Sequence, residues 1–201
     1  MQRGEQLLNV LVALSLWSWA VAGVVQVEGD VLAVPVRLSM VFLQVLVGAL
    51  FMMRRPAQRN GDMNSILRAA PSILVAGLLF KLAQPLTDWA GWMEGLFVGG
   101  TVLTAVSLGS LWREFAVLPA RREVIRRGPY RWLRHPAYLG ELMMVTACAA
   151  AAGIWPAWVL YVAVWPLVVL RIAEEERLLS GVQAYGKFKA KTRWRLIPGI
   201  W

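Results

Sequence analysis

The sequence holds one cysteine, Cys148, and one histidine, His135. A lone thiol closes no intramolecular disulfide, and with the cysteine inside an alanine run the pair offers no transition-metal site. Charge is scarce too: Asp, Glu, Lys and Arg make up 16% of the chain, against about a quarter in soluble domains. Acidic residues are the rarer sign, 12 against 21 Lys and Arg, which leaves a formal net charge of +9. Such an excess suits nucleic acid, but here the basic residues fall between and after apolar runs rather than on one soluble face, so no nucleic-acid partner is expected. No internal repeat, low-complexity tail or linker marks off a soluble domain.

Hydrocarbon is what the chain has in plenty. With 58% hydrophobic residues and a mean hydropathy of +0.55, a bilayer is its expected solvent. Four runs approach or exceed the roughly 20 residues that cross a ~30 Å hydrocarbon core: Leu7 to Val27, Val31 to Met53, Ile66 to Ala83 and Trp89 to Trp112. They are read as helices, because lipid offers no partner to unpaired backbone groups. The first is longer than a signal-peptide core and lacks a small-residue cleavage site, so it is read as a span. Turns are expected at Glu28-Gly29-Asp30, from Arg54-Arg55-Pro56 to Asn60-Gly61-Asp62, and at Gln84-Pro85.

A fifth apolar region, Tyr138 to Leu170, is divided by Gly153-Ile154-Trp155-Pro156, a helix stop followed by a helix start. The two arms of this hairpin are short for a full crossing; the first, Tyr138 to Ala152, reaches about 22 Å. Its alanine run favours close helix packing. Positive charge orients the set, since cytoplasmic loops carry the excess of Lys and Arg. All but Arg37 and Lys81 fall on one side, and Glu28, Asp30 and Asp88 lie in the opposite turns. Both termini are therefore expected in the cytoplasm.

Three segments carry candidate chemistry. The stretch Arg126 to Glu141 combines Gly128 and Gly140, which permit close backbone approach, with Pro129 and Pro136, which stiffen the path. Arg134 and His135 within it have the donors for a carboxylate. Read more plainly, it is a positive-inside loop anchored by Tyr130 and Trp132. The stretch Arg171 to Leu179 holds Glu174-Glu175-Glu176. Successive helical residues point about 100° apart, so at most two of the acids face one pocket, and Arg171 shares a face with Glu175. Such a pair would receive a ligand ammonium; a solvated helix end is the bland alternative. The third stretch, Tyr185 to Trp201, alternates basic and apolar residues and reads as an interfacial cover or a lipid anchor. Glu141 is an acid at the hairpin entrance, and ionisable groups within spans often mark function. Glu94 and Arg37 lie nearer the far surface and are read as snorkelling there.

Together, Gly128-Pro129-Tyr130, Arg134-His135-Pro136 with Tyr138 and Gly140, Arg171 with Glu175-Glu176, and Arg195-Leu196-Ile197-Pro198 resemble the isoprenylcysteine carboxyl methyltransferase family within the wider group of membrane phospholipid methyltransferases. The resemblance covers about residues 112 to 201. It implies S-adenosylmethionine as cofactor, bound at the cytoplasmic side, with a lipophilic or lipidated substrate entering from the membrane and no metal. It places Arg134, His135, Tyr138, Gly140, Glu175 and Glu176 at the cofactor and leaves Glu174 solvated. Arg171, Glu141 and Arg195 become the catalytic candidates. The expected protein is an all-α integral membrane enzyme with four transmembrane helices, a C-terminal helical hairpin and a cytoplasmic cofactor-binding region. It forms one membrane domain, residues 1-112 supplying spans and 113-201 the catalytic region. The implied reaction is carboxyl O-methylation of a prenylcysteine-like acceptor. Phospholipid N-methylation is the alternative, then a scaffold or transporter, and more remotely a nicotinamide-dependent reductase.

Overall fold

Helices form wherever the chain is apolar over about 20 residues and free of breakers, because each backbone amide then finds its partner within the segment. The computed structural model describes residues 2–25, 34–55, 59–60, 63–83, 89–115, 120–121 and 124–201. Within them lie α1 (Gln2–Val25), α2 (Val34–Met53), α3 (Met63–Leu82), α4 (Gly91–Leu111), α5 (Pro136–Ala152), α6 (Trp155–Ser180) and α7 (Gln183–Lys191). The turns expected at Glu28-Gly29-Asp30 and Gln84-Pro85 fall outside the described residues. The all-α expectation has one exception, a two-residue antiparallel pair that joins Arg59–Asn60 to Ala120–Arg121.

Among the described residues four helices are long and apolar enough to cross a membrane. They are α1, α2, α4 and α6. The third run forms the 20-residue α3, which carries Arg68, Ser72 and an internal Pro71. The second hairpin arm runs past the end of its apolar stretch near Leu170. It continues unbroken through Arg171 and the three acids as the 26-residue α6, about 39 Å long. Those acids stay helical because each has a protein partner, described below. The first arm, α5, keeps its expected shortness at 17 residues, and Gly153 ends it with a left-handed φ of 63°.

Small residues set the helix contacts. A Cβ on Gly48 of α2 would stand 2.3 Å from Trp17 Nε1 of α1, whose indole donates to Val45 O. Gly100 of α4 and Gly140 of α5 face each other: a Cβ on Gly140 would lie 2.5 Å from Gly100 O, and one on Gly100 2.6 Å from Gly140 O. Small residues thus let α4 and α5 cross at backbone distance. The apolar core then runs through α2 to α6 and includes Leu196 from the C-terminal segment.

That C-terminal segment does more than cover a surface. Arg134 N donates to Trp194 O and His135 N to Arg195 O, each at 2.9 Å, beside a parallel bridge between Leu133 and Trp194. The Arg195 guanidinium sits 5.0 Å from the Trp201 ring centre. The segment expected as an interfacial cover is laced to the loop that leads into α5.

Candidate functional site

The three consecutive acids of α6 fan out to three different walls, as a 100° step per residue requires. Glu174 turns to α3: Ser65 Oγ donates to its Oε1 at 2.6 Å, Arg68 Nη1 to its Oε2 at 3.2 Å, and Arg177 closes over it from one turn on. It is 2% exposed, so the expectation of a solvated Glu174 is overturned. It ties α6 to α3 because a carboxylate at that depth must be paired.

Glu176 turns the other way, toward two arginines and the lone histidine. Arg134 Nη1 donates to Oε1 at 2.6 Å, His135 Nε2 lies 3.2 Å from the same oxygen, and Arg195 Nη2 donates to Oε2 at 3.1 Å. Both carboxylate oxygens are engaged by the protein itself. Arg134, His135 and Arg195, which the sequence reading placed at the cofactor or the reaction, thus converge on one acid supplied by the same reading.

Glu175 lies between these two. The Tyr138 hydroxyl donates to its Oε2 at 2.7 Å and His135 Nδ1 stands 3.7 Å from that oxygen, yet 31% of its side chain remains exposed. It lines a cavity of about 120 Å³ together with Tyr138, Glu141, Arg171, Arg134 and His135. The i, i+4 relation holds in that Arg171 and Glu175 face the same cavity. Arg171 makes its ion pair elsewhere, donating to Glu141 Oε2 at 3.1 Å while its guanidinium lies 4.6 Å from the Tyr138 ring centre. Ser72 of α3 supports the same guanidinium at 3.4 Å.

The two glycines expected to admit a ligand pack against helix α4. Gly140 is pressed against Gly100 and Thr104, and Gly128, at φ 57°, against Ser110 Oγ, which a Cβ would approach to 2.2 Å. Behind the loop, Tyr130, Tyr185 and Phe188 form a small buried cluster. Burial, reinforced by the Glu175 carboxylate for Tyr130 and the Glu176 carboxylate for Tyr185, pushes both phenols well above their ordinary range and keeps them neutral.

A second cavity, of about 300 Å³, opens deeper among α1 to α5. Its walls include Leu16, Met40, Phe80, Phe97 and Cys148, and Val47 and Glu141 line both cavities. A polar chamber and an apolar chamber therefore meet at one acid. Sequence reading found Glu141 but nothing in α1 to α3, since in a bilayer both faces of a helix are apolar and periodicity loses its meaning.

Residues 96–181 match the isoprenylcysteine carboxyl methyltransferase (ICMT) family. Over that stretch the chain is similar to this family. Members are membrane methyltransferases that use S-adenosylmethionine as methyl donor, acting on lipophilic substrates. The ICMT stretch takes in all of α5 and α6, with Arg134, His135, Tyr138, Glu141, Arg171 and the three acids; Arg195 lies beyond it. No curated protein matches the chain.

The polar cavity suits one end of that donor. Glu175 presents a carboxylate to an ammonium, and the buried Arg134 Nε has no partner among the described residues, a donor that suits a carboxylate. A volume of about 120 Å³ fits the amino-acid end rather than a whole nucleoside-bearing cofactor, whose sites usually exceed 300 Å³. Among the described residues no three His, Cys, Asp or Glu side chains gather as a metal site would need.

Proposed function

We propose that the chain transfers a methyl group from S-adenosylmethionine to the carboxylate of a lipophilic, prenylcysteine-like acceptor, at the cytoplasmic side of the membrane. One observation carries the reading: the polar and apolar cavities share Val47 and Glu141 as a common wall. A reaction between a charged, water-soluble donor and a lipid-borne acceptor needs such a meeting point.

S-adenosylmethionine supplies an electrophilic methyl on a sulfonium. Glu175 receives its amino group and Arg134 Nε its carboxylate, while Tyr138 and His135 hold Glu175 in place. Glu176 acts at one remove, fixing Arg134, His135 and Arg195 against the loop. Arg171, already braced by Glu141 and Tyr138, offers its charge to the acceptor carboxylate at the junction. Because a carboxylate is ionised beforehand, no general base is required, and the rate comes from alignment and exclusion of water. The whole chain acts as one membrane unit, with residues 1-112 completing the acceptor side and 113-201 the cofactor side.

Glu141 favours a second reading. A carboxylate at the junction is placed to take a proton from an amine, which phospholipid N-methylation requires and ester formation does not. Purified protein incubated with methyl-labelled S-adenosylmethionine, a prenylcysteine and a lipid extract separates the two. Base-labile label on the prenylcysteine supports the first, base-stable label on a lipid amine the second. Absence of any labelled lipophilic product sinks both.

A further inference from the structure

Two Arg-Trp pairs, Arg131-Trp132 and Arg193-Trp194, stand far apart in sequence and side by side in the fold. The parallel bridge between Leu133 and Trp194 sets Trp132 beside Arg193. Inward from the bridge the groups are engaged: Leu133, Thr192 and Leu196 are buried, and Arg134 and Arg195 reach Glu176. Outward, the same two stretches expose Arg131, Arg193, 68% of Trp132 and 38% of Trp194.

Helix α7 continues the pattern. Tyr185 and Phe188 take its buried side, and Lys187, Lys189 and Lys191 are exposed. Arg126 adds a further exposed cation from the loop before α5. Neither residues 124–134 nor residues 181–201 contain an Asp or Glu, and among the described residues these exposed cations have no acid partner. A face that serves only solubility mixes both signs of charge and exposes little tryptophan. This one does neither.

Its level fits a headgroup layer. Helix α5 rises about 25 Å from Pro136 to the turn at Gly153, where Ile154 and Trp155 are exposed, and that is close to the ~30 Å of a hydrocarbon core. With that turn at one interface, the Arg-Trp pairs, a few residues before Pro136 and laced to its approach, meet the other. At such a depth an indole sits at the boundary while an arginine or lysine reaches the phosphates. In the orientation that charge favours, the leaflet met there is the cytoplasmic one, whose surface is negative.

We propose that the paired Arg-Trp dipeptides and the lysines of α7 form a binding face for the phosphates of anionic membrane lipids. Headgroups held there grip the outer side of the segment whose inner side carries Arg195 to Glu176, so anionic lipid steadies the polar cavity from outside. The inference does not depend on methyl transfer.

The test counts lipids retained by the full chain. Protein is released from nanodiscs of equal parts phosphatidylglycerol and phosphatidylcholine, and bound lipids are identified by native mass spectrometry. Wild type should favour phosphatidylglycerol roughly fivefold or more, and about 0.5 M salt should erase the preference. Arg131→Gln with Arg193→Gln, and separately Lys189→Gln with Lys191→Gln, should each lower it about threefold or more. Arg131→Lys with Arg193→Lys should keep it, which separates lost charge from lost fold. The pair Arg37→Gln and Lys81→Gln, from the opposite side, should also keep it. Wild type alone should unfold at a higher temperature in phosphatidylglycerol nanodiscs than in phosphatidylcholine ones, by more than either glutamine pair. No preference in wild type, unchanged preference in both glutamine pairs, or equal loss in the Arg37 and Lys81 control overturns the proposal. So does binding of soluble polyglutamate without any lipid preference, which would assign the face to an acidic polypeptide.

Discussion

Tyr138 donates its hydroxyl hydrogen to Glu175 Oε2 at 2.7 Å, joining α5 to α6 at the wall of the polar cavity. Of the three α6 acids, Glu175 is the one with open surface toward that cavity, so it is where a ligand charge is felt. Glu175→Gln should weaken S-adenosylmethionine binding about ten- to a hundredfold, the worth of a charged hydrogen bond, with little effect on folding. Tyr138→Phe should cost less than about tenfold. Calorimetry on the detergent-solubilised protein measures both, and unchanged affinity in Glu175→Gln removes Glu175 from the site.

Glu174 and Glu176 should separate by a different criterion. Glu174→Gln loses contacts to Ser65, Arg68 and Arg177, so it should lower stability by about 1 to 3 kcal/mol while the remaining folded protein binds ligand normally. Glu176→Gln strands Arg134 and Arg195 together in a largely buried place, which should cost about 3 to 5 kcal/mol and weaken binding as well. Thermal unfolding paired with ligand titration distinguishes them; identical profiles would contradict the divided roles.

Gly140 offers a control within the same motif. Gly140→Ala places a methyl 2.3 Å from Thr104 Oγ1 and 2.5 Å from Gly100 O, so α4 and α5 must separate. Destabilisation of about 1 to 3 kcal/mol is expected, felt as a lower unfolding temperature at every ligand concentration. A stable variant with specifically impaired cofactor affinity would return Gly140 to the ligand.

Topology rests on charge and is open to direct labelling. In a Cys148→Ala background, single cysteines placed at Arg55, Arg127 and Lys191 should react with an impermeant thiol reagent only from the cytoplasmic side. Labelling of intact cells at Arg127 would reverse the orientation.

Much of this was legible because charge in a membrane sequence is expensive. Arg134, His135, Glu141, Arg171 and the three acids stood out against hydrocarbon, and the structure gathers the first four with Glu175 around one cavity. Their pairing was not legible. Glu174 finds Ser65 and Arg68 more than a hundred residues earlier, a contact set by helix packing that no local spacing encodes. The charged end of α6 reads as helical, but the partners that its acids find come from other elements. The contact of Gly140 with Gly100 was equally hidden, because helix crossing sets it. The apolar cavity stayed invisible, since residues facing lipid and residues facing a chamber look alike in a bilayer.

The two chambers draw on different stretches of the chain. Apart from Val47, the polar one is built from residues 104 to 175, inside the stretch that carries the family pattern. The apolar one takes Leu16, Met40, Leu43, Gln44, Ala76 and Phe80 from α1 to α3, all before that stretch begins. Natural selection can therefore reshape one chamber by substitutions in the first three helices while the other is inherited intact. Descendants of such a scaffold would diverge in what they modify well before they diverge in how.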